Sequence, residues 1–175
     1  MELEERVAEL ERRLAVLEQA AGGAPPVLGD GDFWALDGLK DQLGRLGDAA
    51  ADGGVLFTGA VRLPTRERYE WQYGALTAGL LGSEEEDRPD WEEAAEPLAA
   101  LGHPVRLRLL REILAGRRTA AELAELDETG TTGQIYHHLR LLTAAGWLHS
   151  PGRGRYEVPG TRVVPLLVVL TAARP

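Results

Sequence analysis

Within the stretch Gly133-Gln-Ile-Tyr-His-His-Leu-Arg140, four side chains can exchange hydrogen bonds with nucleobase edges: Gln134, Tyr136, His137 and Arg140. At helical spacing Gly133, His137, Arg140 and Ala144 share one face, flanked by Gln134 and Tyr136. Ile135, Leu139 and Leu142 form the opposite stripe and must face a core. An amide, a phenol, an imidazole and a guanidinium together can read donor and acceptor patterns in a major groove. Further on, Ser150-Pro-Gly-Arg-Gly-Arg155 puts Arg153 and Arg155 at a Gly-rich turn, where they can meet phosphates or a minor groove. Other chemistries lack their residues. The chain has no cysteine, which removes disulfides, thiolate ligands and a cysteine nucleophile. No nucleophile–base pair, carboxylate dyad or phosphate-binding glycine loop stands at usable spacing, so neither an enzyme nor a cofactor is expected.

The elements that must hold these residues follow from caps and periodicity. Asp90 can cap a helix from Trp91, with Ala94, Ala95, Leu98, Ala99 and Leu101 on its apolar side and Gly102 as its stop. Pro104 suits the first turn of the next helix, which packs through Val105, Leu107, Leu109, Leu110, Ile113 and Leu114. Thr119 and Glu122 form a capping box for a short helix over 120–126, and 127–130 is the turn. Thr131 or Thr132 caps the reader helix, which runs to about Ala145. Trp147 to His149 and Tyr156 to Val158 make a two-stranded ribbon joined across 150–155. Two helices, a short turn, a third helix and a basic hairpin is the order of a winged helix-turn-helix. Thr131, Thr132, Gly133, Gln134, Tyr136, His137, Arg140, Arg153 and Arg155 are therefore the expected contacts to double-stranded DNA.

Three stretches carry a family resemblance: Ala99-Ala-Leu-Gly-His-Pro-Val-Arg-Leu-Arg-Leu-Leu110, Ala144-Ala-Gly-Trp-Leu148 and the wing ending at Tyr156. Together they resemble ArsR-like winged-helix repressors over residues of about 91–160. The resemblance implies a homodimeric transcription regulator on a pseudo-palindromic operator, with the helix after Thr131 as reader. His138-Leu139 matches the family's reader helix, whereas Tyr136 stands where the family commonly has a serine. The family's metal-sensing ligands have no counterpart in 119–125 or 161–170, and no metal is expected. Adjacent His137 and His138 point about 100° apart on a helix and cannot chelate as a pair four residues apart can. His138 borders the buried stripe and reads as a structural imidazole, while His137 points outward. The Val163–Leu170 run reads either as a last helix buried between two protomers, through Leu166, Leu167 and Leu170, or as a terminal strand, given its four valines.

The front of the chain is organised differently. Leu3, Val7, Leu10, Leu14 and Leu17 alternate four and three apart, and Arg6 and Arg13 would face Glu11 and Glu18 of a parallel partner. This seam predicts a short coiled coil assisting a homodimer; an amphipathic helix lying on its own domain is the alternative. Ala21 to Pro26 is a linker, and Asp32 can cap a helix carrying Trp34, Leu36, Leu39, Leu43 and Leu46. From Gly53 to Tyr73, Val55, Phe57, Val61 and Leu63, then Tyr69, Trp71 and Tyr73, alternate with other residues on either side of a polar break at 64–67. That is the pattern of a β-hairpin. Its aromatic row lines a pocket or forms the buried face of a small sheet. A small-molecule effector, if one binds, is expected between hairpin and winged helix, against Trp34, Phe57, Tyr69 and Trp71. Residues 83–89 read as a solvated acidic connector.

The fold expected is mainly α with small β. Residues 1–21 form a coiled-coil dimerisation helix, 27–82 a middle region with a helix and a hairpin, and 90–175 a winged helix-turn-helix with a C-terminal dimerisation segment. The net charge of −9 is uneven: residues 1–100 carry 22 acids against 9 bases, whereas 101–160 carry 8 arginines against 6 acids. A mildly basic rear half permits local phosphate contact. The acidic front suits a second class of function, a protein-interaction adaptor on the same fold. The N-terminus lacks the basic-then-apolar order of a signal peptide, and the longest apolar run is too short to span a bilayer, so a cytoplasmic protein without membrane partners is expected. Replacing Leu10 with Glu should weaken dimerisation, and an unchanged mass in analytical ultracentrifugation would contradict the seam.

Overall fold

The computed structural model describes residues 33–82, 91–126, 130–152 and 154–174. The leucine seam of Leu3, Val7, Leu10, Leu14 and Leu17, the Asp32 and Asp90 caps, the acidic connector and Arg153 lie outside the described residues. The chain divides into two compact units, residues 1–40 and 41–175. In the first, the described residues begin helix α1 (Trp34–Leu46), which continues into the second.

In the second unit a 3-10 turn at Gly47–Ala50 leads into strand β1 (Gly54–Arg62), which pairs antiparallel with β2 (Arg68–Leu76). The register runs unbroken from Gly54 opposite Leu76 to Arg62 opposite Arg68. It puts Phe57 opposite Tyr73, Gly59 opposite Trp71 and Val61 opposite Tyr69, so the alternating row forms one face. The turn between the strands has Pro64 at its first corner, and the Arg66 N–H donates to the Leu63 carbonyl at 2.8 Å. Arg66 takes a φ of 71°, the left-handed residue that closes a three-residue hairpin loop.

After a short helix α2 (Thr77–Leu81) come α3 (Trp91–Leu101), α4 (Pro104–Leu114), α5 (Ala120–Ala124) and α6 (Thr132–Ala144). The wing strands β3 (His149–Gly152) and β4 (Arg155–Glu157) follow, then α7 (Gly160–Ala172). Among the described residues this is an α+β fold of seven α-helices and two antiparallel hairpins. The wing differs from expectation in its turn. Ser150 and Pro151 belong to β3, and the reversal is confined to Gly152–Arg155, because Gly152 and Gly154 supply φ values of 118° and 68°. Trp147 and Leu148 are core residues that precede the strand.

One core joins these parts. Leu109, Leu110 and Ile113 of α4, Leu123 of α5, Ile135, Leu139 and Leu142 of α6, and Val163 and Leu166 of α7 are at most 1% exposed. Leu63 from the hairpin turn is buried in the same cluster, and Val61 and Tyr69 pack against it. The apolar face of α3 is narrower than its spacing predicts. Only Ala100 and Leu101 are buried, and Leu98 is exposed, because α3 reaches the core with its last turn alone. The Val163–Leu170 run is helix, not strand: the packing position overrides the β-preference of its valines. Leu166 is fully buried within this chain, while Leu167 and Leu170 are half-buried against the core.

The α7 helix crosses the hairpin's apolar face at Gly59. A Cβ there would stand 2.6 Å from Val164 Cγ1, and Val164 is itself 1% exposed. Overpacking of this kind costs about 1–3 kcal/mol. Gly59→Ala is therefore expected to lower the melting temperature; an unchanged value would mean that Val164 yields without cost.

Candidate nucleic-acid interface

Helix α6 is held at both ends. Thr131 is its N-cap, and a full capping box joins it to Gln134: the Gln134 N–H donates to Thr131 Oγ1, and the Thr131 N–H donates to Gln134 Oε1 at 2.8 Å. At the other end Gly146, with a φ of 73°, lets the Trp147 N–H donate back to the Leu142 carbonyl at 2.9 Å and its own N–H to Thr143 at 3.1 Å. This pair of bonds is a Schellman stop. Ile135, Leu139 and Leu142 are entirely buried beneath the helix, which fixes its rotation about its own axis. As a consequence Thr132, Gly133, Tyr136, His137 and Arg140 are exposed together, with Tyr136 48% accessible.

Two expected readers have a second employment. The Thr131 hydroxyl and the Gln134 carboxamide oxygen are committed to the cap, where the oxygen accepts from both the Thr131 N–H and its hydroxyl. Gln134 is left with its amide nitrogen as the group that has donors to offer a base edge. Arg155 is exposed on β4, and its backbone pairs with Thr119 in an isolated antiparallel bridge. The Glu122 carboxyl, in the capping box of α5, is held below its ordinary value by the Thr119 hydroxyl and N–H, with Arg155 adding a favourable charge.

Three of the histidines, His103, His137 and His138, lie close together where the start of α4 meets α6. His103 caps α4 by accepting the Val105 N–H on Nδ1 at 3.2 Å, which puts its proton on Nε2. Its ring lies 4.8 Å from that of His138, and the His137 ring lies 5.8 Å from that of His138. His138 Nδ1 is buried without a hydrogen-bond partner among the described residues. Burial first, then the neighbouring His103, Arg106 and His137, push its imidazole below the ordinary value. Arg106 meanwhile donates to the Ala99 and Ala100 carbonyls at the end of α3. Among the described residues no group of three or more His, Asp or Glu side chains could hold a metal ion.

The four aromatics expected around an effector are divided between the two units. Trp34 belongs to the other unit. Phe57 stacks at a tilt on Tyr73, with centroids 6.0 Å apart, and Trp71 is 38% exposed. Tyr69 lines a cavity between hairpin and winged helix that holds about 20 Å³, the space of roughly one water.

Sequence reasoning missed Arg118. It lies in the turn between α4 and α5 and pairs with Glu157 of the wing at 3.0 Å and with Glu67 of the hairpin. Its partners lie 39 and 51 residues away in sequence, so no local pattern could have signalled them. The Thr65 hydroxyl, donating at 2.7 Å, and then Arg118 hold the Glu67 carboxyl below its ordinary value.

A family model described as a helix-turn-helix domain matches residues 101–150, from the last residue of α3 into β3. The chain thus carries a helix-turn-helix domain, the class of module that binds DNA. No curated protein matches the chain. No helix among the described residues is long and apolar enough to cross a membrane.

The depressed His138 gives this domain a pH dependence. The folded form favours the neutral ring, so its contribution is complete above the ordinary value of 6.5 and is lost as pH falls below it. The depressed carboxyls of Glu67 and Glu122 act in the same direction at lower pH. The melting temperature should fall between about pH 7 and pH 5.5, and less steeply in His138→Gln. Equal slopes in the two proteins would contradict this.

Proposed function

We propose that the protein is a sequence-specific transcription regulator that binds double-stranded DNA as a homodimer. The single observation behind this reading is the outward face of α6, a helix capped at both ends with its inner stripe fully buried. A rigid helix with Tyr136, His137 and Arg140 on its open side suits the major groove, and Arg155 on the wing suits phosphate or the minor groove. Arg153 at the wing tip adds a second cation by its sequence position. The match to a helix-turn-helix model supports the same class. Within that class, the Leu-Gly-His-Pro-Val-Arg stretch starting at Leu101 and the Gly-Arg-Gly-Arg wing support an ArsR-like regulator without metal ligands. Leu167 and Leu170, half-buried on α7, are the better C-terminal candidates for a dimer contact, with the leucine seam at the front. The chain works without a cofactor, catalyses no reaction and acts in the cytoplasm.

An adaptor function on the same fold is the competing reading. It is favoured by the neutralisation of nearby arginines, since Arg111 and Arg117 face Glu112 and Arg118 faces Glu67 and Glu157.

Gel shifts with genomic fragments separate the two. Specific binding is expected, and Arg140→Ala should weaken it about tenfold while relaxing sequence preference. Arg153→Ala with Arg155→Ala should weaken all sequences alike and lower the salt slope by about one per lost phosphate contact. If the triple variant keeps the affinity and preference of the parent, these residues are not the interface.

A further inference from the structure

We propose that Arg118 is a positioning residue for the wing, and that through it the β1–β2 hairpin becomes part of the DNA-binding apparatus. The proposal rests on the DNA-binding reading above and extends it to a part of the chain outside the helix-turn-helix match. The backbone of Arg118 already ties two elements: its N–H donates to Glu122 Oε2 of α5 at 3.0 Å, and its carbonyl accepts from the Tyr156 N–H of β4 at 2.7 Å. Its guanidinium adds the third. One terminal nitrogen donates to Glu157 Oε1 at 3.0 Å and the other to Glu67 Oε2.

The hairpin tip is seated on the same turn. A Cβ at Gly116 would stand 3.1 Å from Thr65 Cγ2, and the Thr65 hydroxyl orients the Glu67 carboxylate that Arg118 holds. The Arg118 side chain is 17% exposed, so its charge is poorly hydrated and depends on both carboxylates. Burial pulls its pKa down, but the Glu67 hydrogen bond and charge, with those of Glu157, outweigh it and leave the guanidinium more firmly protonated. The adjoining cavity, of about 20 Å³, is bounded by Leu63, Glu67, Tyr69, Arg118, Glu157 and Val158 among others, with room for roughly one water.

Glu157 and Arg155 alternate along β4 and lie on one face of it. Anything that releases Glu67 leaves Arg118 with Glu157 alone, and the strand that presents Arg155 loses its anchor to the hairpin. The hairpin thus sets where the wing's cation stands. A change at the 64–67 loop alters DNA affinity without touching DNA.

The test uses the full chain and Glu67→Gln, which keeps the shape and removes the charge. Amide hydrogen exchange, measured without DNA, should quicken roughly three- to tenfold over residues 149–157 while α6 is unchanged. Fluorescence anisotropy with a bound genomic fragment should show affinity falling by about three- to tenfold, and this loss should vanish in the Arg155→Ala background. Unaltered wing exchange, or an equal loss in both backgrounds, overturns the proposal. Should Glu67→Gln unfold, Thr65→Val removes only the orienting hydroxyl and is read against the same two outcomes. If no DNA fragment binds at all, the proposed function falls, while the exchange measurement still decides whether Arg118 couples hairpin to wing.

Discussion

The absence of a side chain at Gly59 is the constraint on which the second unit is built. A two-stranded ribbon is marginal by itself and needs its apolar face covered. Because Gly59 has no Cβ, Val164 of α7 can descend onto the strand, and Gly160 at the start of the same helix passes 3.2 Å from Tyr69, measured to where its Cβ would be. With α7 so close, Val163 and Leu166 on its inner side reach the core of the three-helix domain, where each is at most 1% exposed. Burying a side chain of this size stabilises by about 1.5–3 kcal/mol. Hairpin and winged helix are thereby packed through one shared helix.

The polar contacts refine what the apolar ones hold. Surface ion pairs generally contribute about 0–1 kcal/mol, and the exposed Lys40–Asp37 pair belongs to that kind. Arg118 differs in having two carboxylates and little water. Breaking one partner of a fully buried pair costs about 3–5 kcal/mol, and Glu67 and Glu157, at 40% and 30% side-chain exposure, bring that down. The remaining effect is small beside the core. Its importance is geometric: it joins the hairpin to β4, on the side of the domain where Arg155 projects.

Helix α6 shows a similar division of labour. Its apolar stripe fixes rotation, its capping box and Schellman stop fix its ends, and Tyr136, His137 and Arg140 are left exposed. The same capping removes Thr131 Oγ1 and Gln134 Oε1 from the set of groups with nothing else to do. His138, one position from the stripe, is drawn inward with an unpartnered nitrogen and stands beside His103, the cap of α4.

Much of this was legible in the sequence, and the reason is that its signals were local. Ile135, Leu139 and Leu142 recur at helical spacing, Thr119 with Glu122 is a box of four residues, and the hairpin alternates around Pro64. Each depends on neighbours within one or two turns, so element type and the outward face of α6 could be read directly. Sequence alone left α7 open between helix and strand, because valine preference and burial point in opposite directions and only packing arbitrates. It could not say that Leu166 faces inward to the core or that Leu98 stays exposed. Least of all could it show Glu67 and Glu157 converging on Arg118, since such contacts arise from the path of the whole chain. The residue types that can meet DNA were determined by sequence; which of them are free to do so, and what holds them in place, was decided by tertiary structure.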